Sequence, residues 1–254
     1  MRLPALASVA TASVILVGCT TRSVVLDSPR AQGHIATRPG RPGVVVAAPH
    51  GTSDTATGEI AAEVARRTGF GLVVATGFNV EPDSRERPGR RYQVNRPGEG
   101  VPGRPANEEV GTGAAQSVYD AYERGVRETS QGPLRFYVEI HGNNRREAAD
   151  RIEIATVGVD REQAVKLRTL LELVRDAHLR ARPPGPKLVI LVEPADLVVY
   201  AASGAKRAGI LRLPQRALHI ELPRVARHEG RELYTLILSD FLLQAIALPL
   251  PVGR

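Results

Sequence analysis

Val44-Val45-Val46-Ala47-Ala48-Pro49-His50-Gly51 is an apolar run that stops on a proline, a histidine and a glycine. A run with no polar alternation suits a strand buried on both faces of a parallel sheet. Ile60, Ala61, Val64 and Ala65 follow at helical spacing within Gly58 to Thr68, and Gly69 and Gly71 close that segment. Leu72 to Ala75 then starts a second strand, so the unit is β-α-β. The rhythm resumes downstream. Gly113 to Thr129 reads as a helix with Ala115, Val118, Tyr119, Tyr122 and Val126 on one side, and Phe136 to His141 and Arg151 to Val157 read as strands. Arg161 to Ala181 is a long amphipathic helix, Leu188 to Val192 a buried strand, Ala217 to Leu222 a further strand and Glu229 to Ala247 the closing helix. The expected fold is α/β: a single domain over residues 43–254, with a central, mostly parallel mixed sheet flanked by helices.

The composition agrees. The chain has 254 residues, 43% of them hydrophobic, which is enough for one sizeable core. Aromatics are 4% and Trp is absent, which argues against a base-stacking nucleic-acid platform. The single cysteine excludes an internal disulfide and CxxC-type zinc or redox motifs. The net charge is +7, and only Lys166, Lys187 and Lys206 are lysines. The arginine excess reflects either coding composition or a partner with carboxylates or phosphates, which a guanidinium grips bidentately.

Residues 1–18 read as a secretory signal. Arg2 supplies positive charge, Ala5 to Val17 is an apolar run too short to stay across a bilayer, and Leu16-Val17-Gly18-Cys19 ends it. The last four residues resemble the lipobox of bacterial lipoproteins. That resemblance implies cleavage before Cys19, acylation of its thiol, export to the cell envelope and contact with the membrane through the lipid anchor only. Residues 19–42 are rich in Arg, Gly, Pro and Ser and read as a flexible tether.

Open α/β sheets place their sites at the carboxyl ends of strands. Three such ends carry polar residues that a core does not require: His50-Gly51-Thr52-Ser53-Asp54, Glu139-Ile140-His141-Gly142-Asn143, and His219-Ile220-Glu221-Leu222. A short turn brings His50 and Asp54 to one point, and His141 on another strand supplies a remote third ligand. Two near ligands, a distant one and an open fourth position make the arrangement of a catalytic zinc. The alternative for Asp54 is a helix N-cap. Alternation puts His219 and Glu221 on one face of their strand. Glu221 suits a general base, or an ion pair with Arg212 or Arg224. His219 suits a supporting role.

Pro49-His50-Gly51, Asp54-Thr55-Ala56-Thr57-Gly58-Glu59-Ile60-Ala61 and Glu139-Ile140-His141-Gly142 together resemble the zinc hydrolases of the N-formylglutamate amidohydrolase and phage poly-γ-glutamate hydrolase group, relatives of the zinc carboxypeptidases. The resemblance implies the zinc carboxypeptidase, or phosphorylase/hydrolase-like, fold. It also implies one zinc ion held by His50, Asp54 and His141, with Glu59 the alternative acid, and Glu221 as general base. The long segment Asn79 to Gly111 carries Arg85, Arg87, Arg90, Arg91 and Arg96 and reads as a functional loop that closes over the site. Asn95-Arg96 resembles the pair that holds a substrate's terminal carboxylate in zinc carboxypeptidases, and Arg145 is placed to assist. The expected activity is zinc-dependent hydrolysis of amide bonds in small acyl-amino-acid or peptide-like substrates bearing carboxylates. A cell-wall amidase and a lipid-tethered binding protein without catalysis are the alternatives.

Overall fold

The computed structural model describes residues 22–25, 33–80, 90–101, 108–181 and 185–249. The strands of the main sheet are β1 (Arg22–Val25), β2 (His34–Arg38), β3 (Arg41–Ala48), β4 (Phe70–Thr76), β5 (Phe136–Asn143), β6 (Arg151–Val157), β7 (Val189–Val192) and β8 (Arg216–Pro223). The helices are α1 (Thr57–Thr68), α2 (Gly113–Ser130), α3 (Arg161–Ala181), α4 (Ser203–Ala208), α5 (Arg224–Arg227) and α6 (Arg231–Ala245). The eight strands pair in the order β1-β2-β4-β3-β5-β8-β6-β7. β4, β3, β5 and β8 form a parallel block, while β6 runs antiparallel to β8 and β2 antiparallel to β4. The carboxyl ends of β3, β5 and β8 therefore lie at one end of the sheet, and the reversed β6 begins there.

Strand alternation sorts the side chains into two layers. Val44, Val46, Phe136, Val138, Ile140, Leu218, Ile220 and Leu222 pack on one face, with residues of α1, α3 and α6. Val45, Ala47, Tyr137 and Ala217 pack on the other face, with α2. Glu139, His141, His219 and Glu221 share the parity of this second face. Its apolar packing thus gives way, towards the carboxyl ends, to buried titratable groups.

Three expectations need correction. The tether was expected to reach residue 42, but β2 pairs with β4 from His34↔Thr76 to Arg38↔Leu72, and Ile35 is fully buried. Residues 22–25 also pair with β2. One buried aliphatic among polar neighbours is all an outer strand needs, and so short a pattern is hard to read. The strand expected at Leu188 to Val192 is an edge strand, with Val189 half exposed. The expected loop from Asn79 to Gly111 is, in its described parts, partly folded. Asn79–Val80 pairs with Arg90–Arg91, Glu99–Gly100 pairs with Glu109–Val110, and Tyr92, Val94 and Asn95 are buried. Arg85 and Arg87, the signal segment 1–18 and Cys19 lie outside the described residues. Among the described residues, no helix is long and apolar enough to cross a membrane.

Candidate active site

The turn after β3 folds back on itself. The Asp54 N–H donates to the His50 carbonyl at 2.8 Å, and the Gly51 N–H donates to Ala75 on β4 at 2.9 Å. Helix α1 is entered through Ala56, whose φ of 69° is left-handed, and no side chain caps it. The Asp54 carboxylate is thus not a helix cap. Its Oδ2 turns towards β5, where it accepts from the Gly142 N–H at 3.2 Å. Glu59 stands in the first turn of α1, exposed, and lines a separate cleft with Arg67 and Arg231.

Two imidazoles meet that same carboxylate oxygen. His50 Nδ1 lies 3.5 Å from Asp54 Oδ2, and His141 Nδ1 lies 3.4 Å from it. The three donor atoms all fall within 4.8 Å of one another. Hydrogen-bond logic assigns the ring tautomers. His50 Nε2 lies 3.0 Å from the Gln93 carbonyl, which only accepts, so Nε2 carries the proton. His141 Nε2 lies 3.2 Å from the Glu139 carboxylate and donates likewise. Nδ1 of each ring is left to face Asp54. An anionic oxygen beside two ring nitrogens calls for positive charge between them, either a second ring proton or a metal cation. With ligand distances of about 2.0–2.2 Å, donors of a tetrahedral zinc are separated by about 3.4 Å. The observed separations of 3.4 and 3.5 Å match, and imidazole with carboxylate is an ordinary zinc donor set, so the residues fit the ion.

Burial opposes the charge on Asp54, but His141 and His50 outweigh it and hold its carboxyl well below the usual carboxylate range. Burial also disfavours a charged His141, yet Asp54 and Glu139 raise it to about 10 when no metal competes for the ring.

Glu139 is the residue that sequence reading passed over. It is fully buried, and four side chains converge on its carboxylate. Tyr137 donates at 3.1 Å, Asn95 Nδ2 at 3.2 Å, His141 Nε2 at 3.2 Å, and His219 Nδ1 contacts it at 2.9 Å. The Tyr122 hydroxyl extends the chain to Tyr137 at 2.8 Å. Burial opposes the charge on Glu139, and His141 and His219 more than compensate, keeping it ionised. An ionised carboxylate behind His141 fixes both ring orientation and tautomer. Glu139, His141 and His219 also form a geometric group of possible metal donors. Their contacts of 2.9–3.2 Å are hydrogen bonds, however, and Tyr137 and Asn95 already occupy the carboxylate. A signal was available in the sequence: Tyr137, Glu139 and His141 alternate along one strand face.

Glu221 lies directly beside His141 in the β5–β8 register. It pairs with His219, Oε1 to Nε2 at 3.1 Å, rather than with Arg212 or Arg224. On the other side, its antiparallel partner is the fully buried Glu153. Glu153 Oε2 accepts the backbone N–H groups of Val199 and Tyr200 at 2.9 and 3.1 Å, anchoring that segment. Burial and then the nearby Glu221 charge push the Tyr200 phenol up to about 12.

The expected substrate contacts of Asn95 and Arg96 are corrected. Asn95 is fully buried against Glu139. The Arg96 guanidinium donates to Glu109 at 2.9 Å, to Asn95 Oδ1 at 3.2 Å and to Gln93 at 3.1 Å. Val94, a β-branched residue at a φ of 55°, bends the chain so that Gln93 reaches His50 while Asn95 reaches Glu139. The Asn-Arg pair therefore braces the donor set from behind. Arg145 is different. Its side chain is half exposed, its guanidinium lies 4.9 Å over the Tyr200 ring, and its nearest acid, Glu147, is 3.9 Å away.

No protein family and no curated protein match the chain. Solved structures of similar shape include a bacteriophage poly-γ-glutamate hydrolase, 11% identical over 85% of this chain and 88% of its own, with a TM-score of 0.47. An aspartoacylase family protein from Mesorhizobium loti is 15% identical over 96% of this chain and 71% of its own, with a TM-score of 0.46. A metallo-carboxypeptidase from Burkholderia cenocepacia is 15% identical over 89% of this chain and 63% of its own, with a TM-score of 0.42. The first and the third are of the kinds that the motifs resemble.

Proposed function

We propose that this chain is a zinc-dependent hydrolase of amide bonds in small acyl-amino-acid or peptide-like substrates that bear carboxylates. The observation that carries the reading is the convergence of His50 Nδ1 and His141 Nδ1 on one oxygen of Asp54, with Glu221 beside His141 on the next strand. When bound, a zinc ion would polarise the scissile carbonyl and make an attacking water more acidic. Glu221 accepts a proton from that water as its oxygen bonds to the carbonyl carbon. It then delivers the proton to the leaving nitrogen as the C–N bond breaks. His219 orients Glu221, and Glu139 orients both His219 and His141. Metal analysis of the tagless full chain tests the reading, together with product analysis on N-acyl amino acids and on muropeptides. One zinc per chain and release of a free amino acid are expected. Cleavage of muropeptides alone would favour a cell-wall amidase, and a metal-free, inactive chain would refute the hydrolase.

Selection of carboxylate substrates falls to Arg145. A half-exposed guanidinium whose nearest acid is at 3.9 Å, stacked on an aromatic ring, can take a carboxylate bidentately. Arg145→Ala is expected to raise KM for free-carboxylate substrates about tenfold, near the lower end of the ~1.5–3 kcal/mol of a charged hydrogen bond. KM for the corresponding carboxyl-amidated substrates should hardly change. Equal effects on both would remove Arg145 from recognition.

Export and lipid anchoring at Cys19 belong to the same proposal and are supported by Leu16-Val17-Gly18-Cys19. Intact-mass measurement of membrane-extracted protein is expected to show loss of residues 1–18 and added acyl mass. A soluble, full-length product would refute the anchor.

A further inference from the structure

We propose that Arg227 is the positioning residue of the metal site, a single guanidinium that sets the spacing of the three strand ends supplying the donor set and the general base. The inference rests on the zinc-hydrolase reading and adds a residue to it. Arg227 closes α5, one turn beyond the end of β8, and is 1% exposed. Arginine is almost never so buried unless its charge and its N–H groups are satisfied. Here the N–H groups are satisfied by backbone and neutral side chains. Nη1 donates to the Thr55 carbonyl at 2.7 Å and to Thr55 Oγ1 at 3.1 Å. Nη2 donates to the Asn143 carbonyl at 3.1 Å and to Asn144 Oδ1 at 2.9 Å. Nε donates to the Leu222 carbonyl at 3.2 Å. The rigid fork offers five N–H groups, and five acceptors meet them.

The three backbone acceptors are placed with a pattern. Thr55 follows Asp54, Asn143 comes two residues after His141, and Leu222 follows Glu221. Each segment comes from a different strand end, and the three have no sequence proximity. Gly142, the glycine after the second histidine, has its reason here. A Cβ at that position would lie 2.5 Å from Arg227 Cζ, so any side chain would expel the guanidinium. Burial disfavours the charge on Arg227, while the nearby Asp54 and Glu221 carboxylates favour it. An apolar residue could fill this space, but it could not donate to three carbonyls. Lysine would keep the charge, yet a point donor on a flexible stem cannot span the same acceptors.

The test is zinc affinity of the full chain, measured by competition with a chromophoric chelator, beside the visible spectrum of the cobalt-substituted protein. Melting of the metal-free protein gives the control. Arg227→Lys and Arg227→Met are expected to weaken zinc binding about 10–100-fold, the usual cost of losing a partner that orients ligands. The cobalt spectrum should shift, with Arg227→Lys still melting cooperatively. A lowered melting temperature with unchanged zinc affinity and cobalt spectrum would assign Arg227 to the fold alone and overturn the proposal. Failure of both variants to fold would overturn it too. If the parent chain takes up neither ion, the metal-site reading fails and the positioning role falls with it. If the parent binds and the variants bind as tightly, only the positioning role fails.

Discussion

His141→Ala is expected to purify folded and without zinc, and His50→Ala likewise. With either ring gone, one of three converging donors is lost, and the remaining imidazole and carboxylate cannot hold the ion at stoichiometric occupancy. The two variants differ in their cost to the fold. His50 is partly exposed, and its loss leaves the Gln93 carbonyl with the Asn95 N–H and Asp54 with the Gly142 N–H and His141. His141 is buried between Asp54 and Glu139, and its removal leaves two carboxylates with one compensating ring fewer. A buried group that loses its partner costs about 1–3 kcal/mol, and more if charged, so His141→Ala should melt well below His50→Ala. Elemental analysis after dialysis, with circular dichroism as the control, reads both effects. Retention of stoichiometric zinc by both variants would remove the assignment. Asp54→Ala should behave as His50→Ala does, because Glu59 stands in a separate cleft and offers no replacement acid.

Glu221→Gln is expected to keep zinc and lose a factor of ~10²–10⁴ in kcat, the usual contribution of a positioned general acid–base. The amide is isosteric, and its oxygen can still accept a hydrogen bond from His219 Nε2, so neither β8 nor the donor set should shift. KM should change little, since the carboxylate's role is to carry a proton rather than to bind substrate. Zinc content equal to the parent's, together with the fall in kcat, separates a lost base from a lost metal. Unchanged kcat/KM would leave Glu221 as no more than the partner of His219.

Much of the candidate site could be read from local pattern, because strand ends announce themselves. An apolar run that stops on His50, and a second that carries His141, need no partner to be recognised. The alternation of His219 and Glu221 with aliphatics likewise places both on one face. Arg96 was misread for a physical reason. In sequence a loop arginine looks free, and only folding brings Glu109, thirteen residues on, against its guanidinium. Arg227 offered no signal at all, since its partners are the carbonyls of three segments that sequence does not connect.

What the sequence determined by itself is the alternation of strands and helices. The strand Arg151–Val157 and the helix Arg161–Ala181 stand where hydrophobic period puts them, because period 2 and period 3.6 are local properties of the backbone. What the tertiary structure decided is which strands lie side by side, and therefore which titratable groups meet. The order β3-β5-β8 brings His141 beside Glu221 and turns Asp54 towards both histidines. It also closes His50, Asp54, His141, Glu139, His219 and Glu221 into one unbroken chain of contacts. Strand order is set by how two faces of a sheet bury their apolar side chains against helices far away in sequence. The role of Glu139 follows from that burial: in a strand read alone it is one carboxylate among many, and only the closed interior makes it the anion that four donors must satisfy.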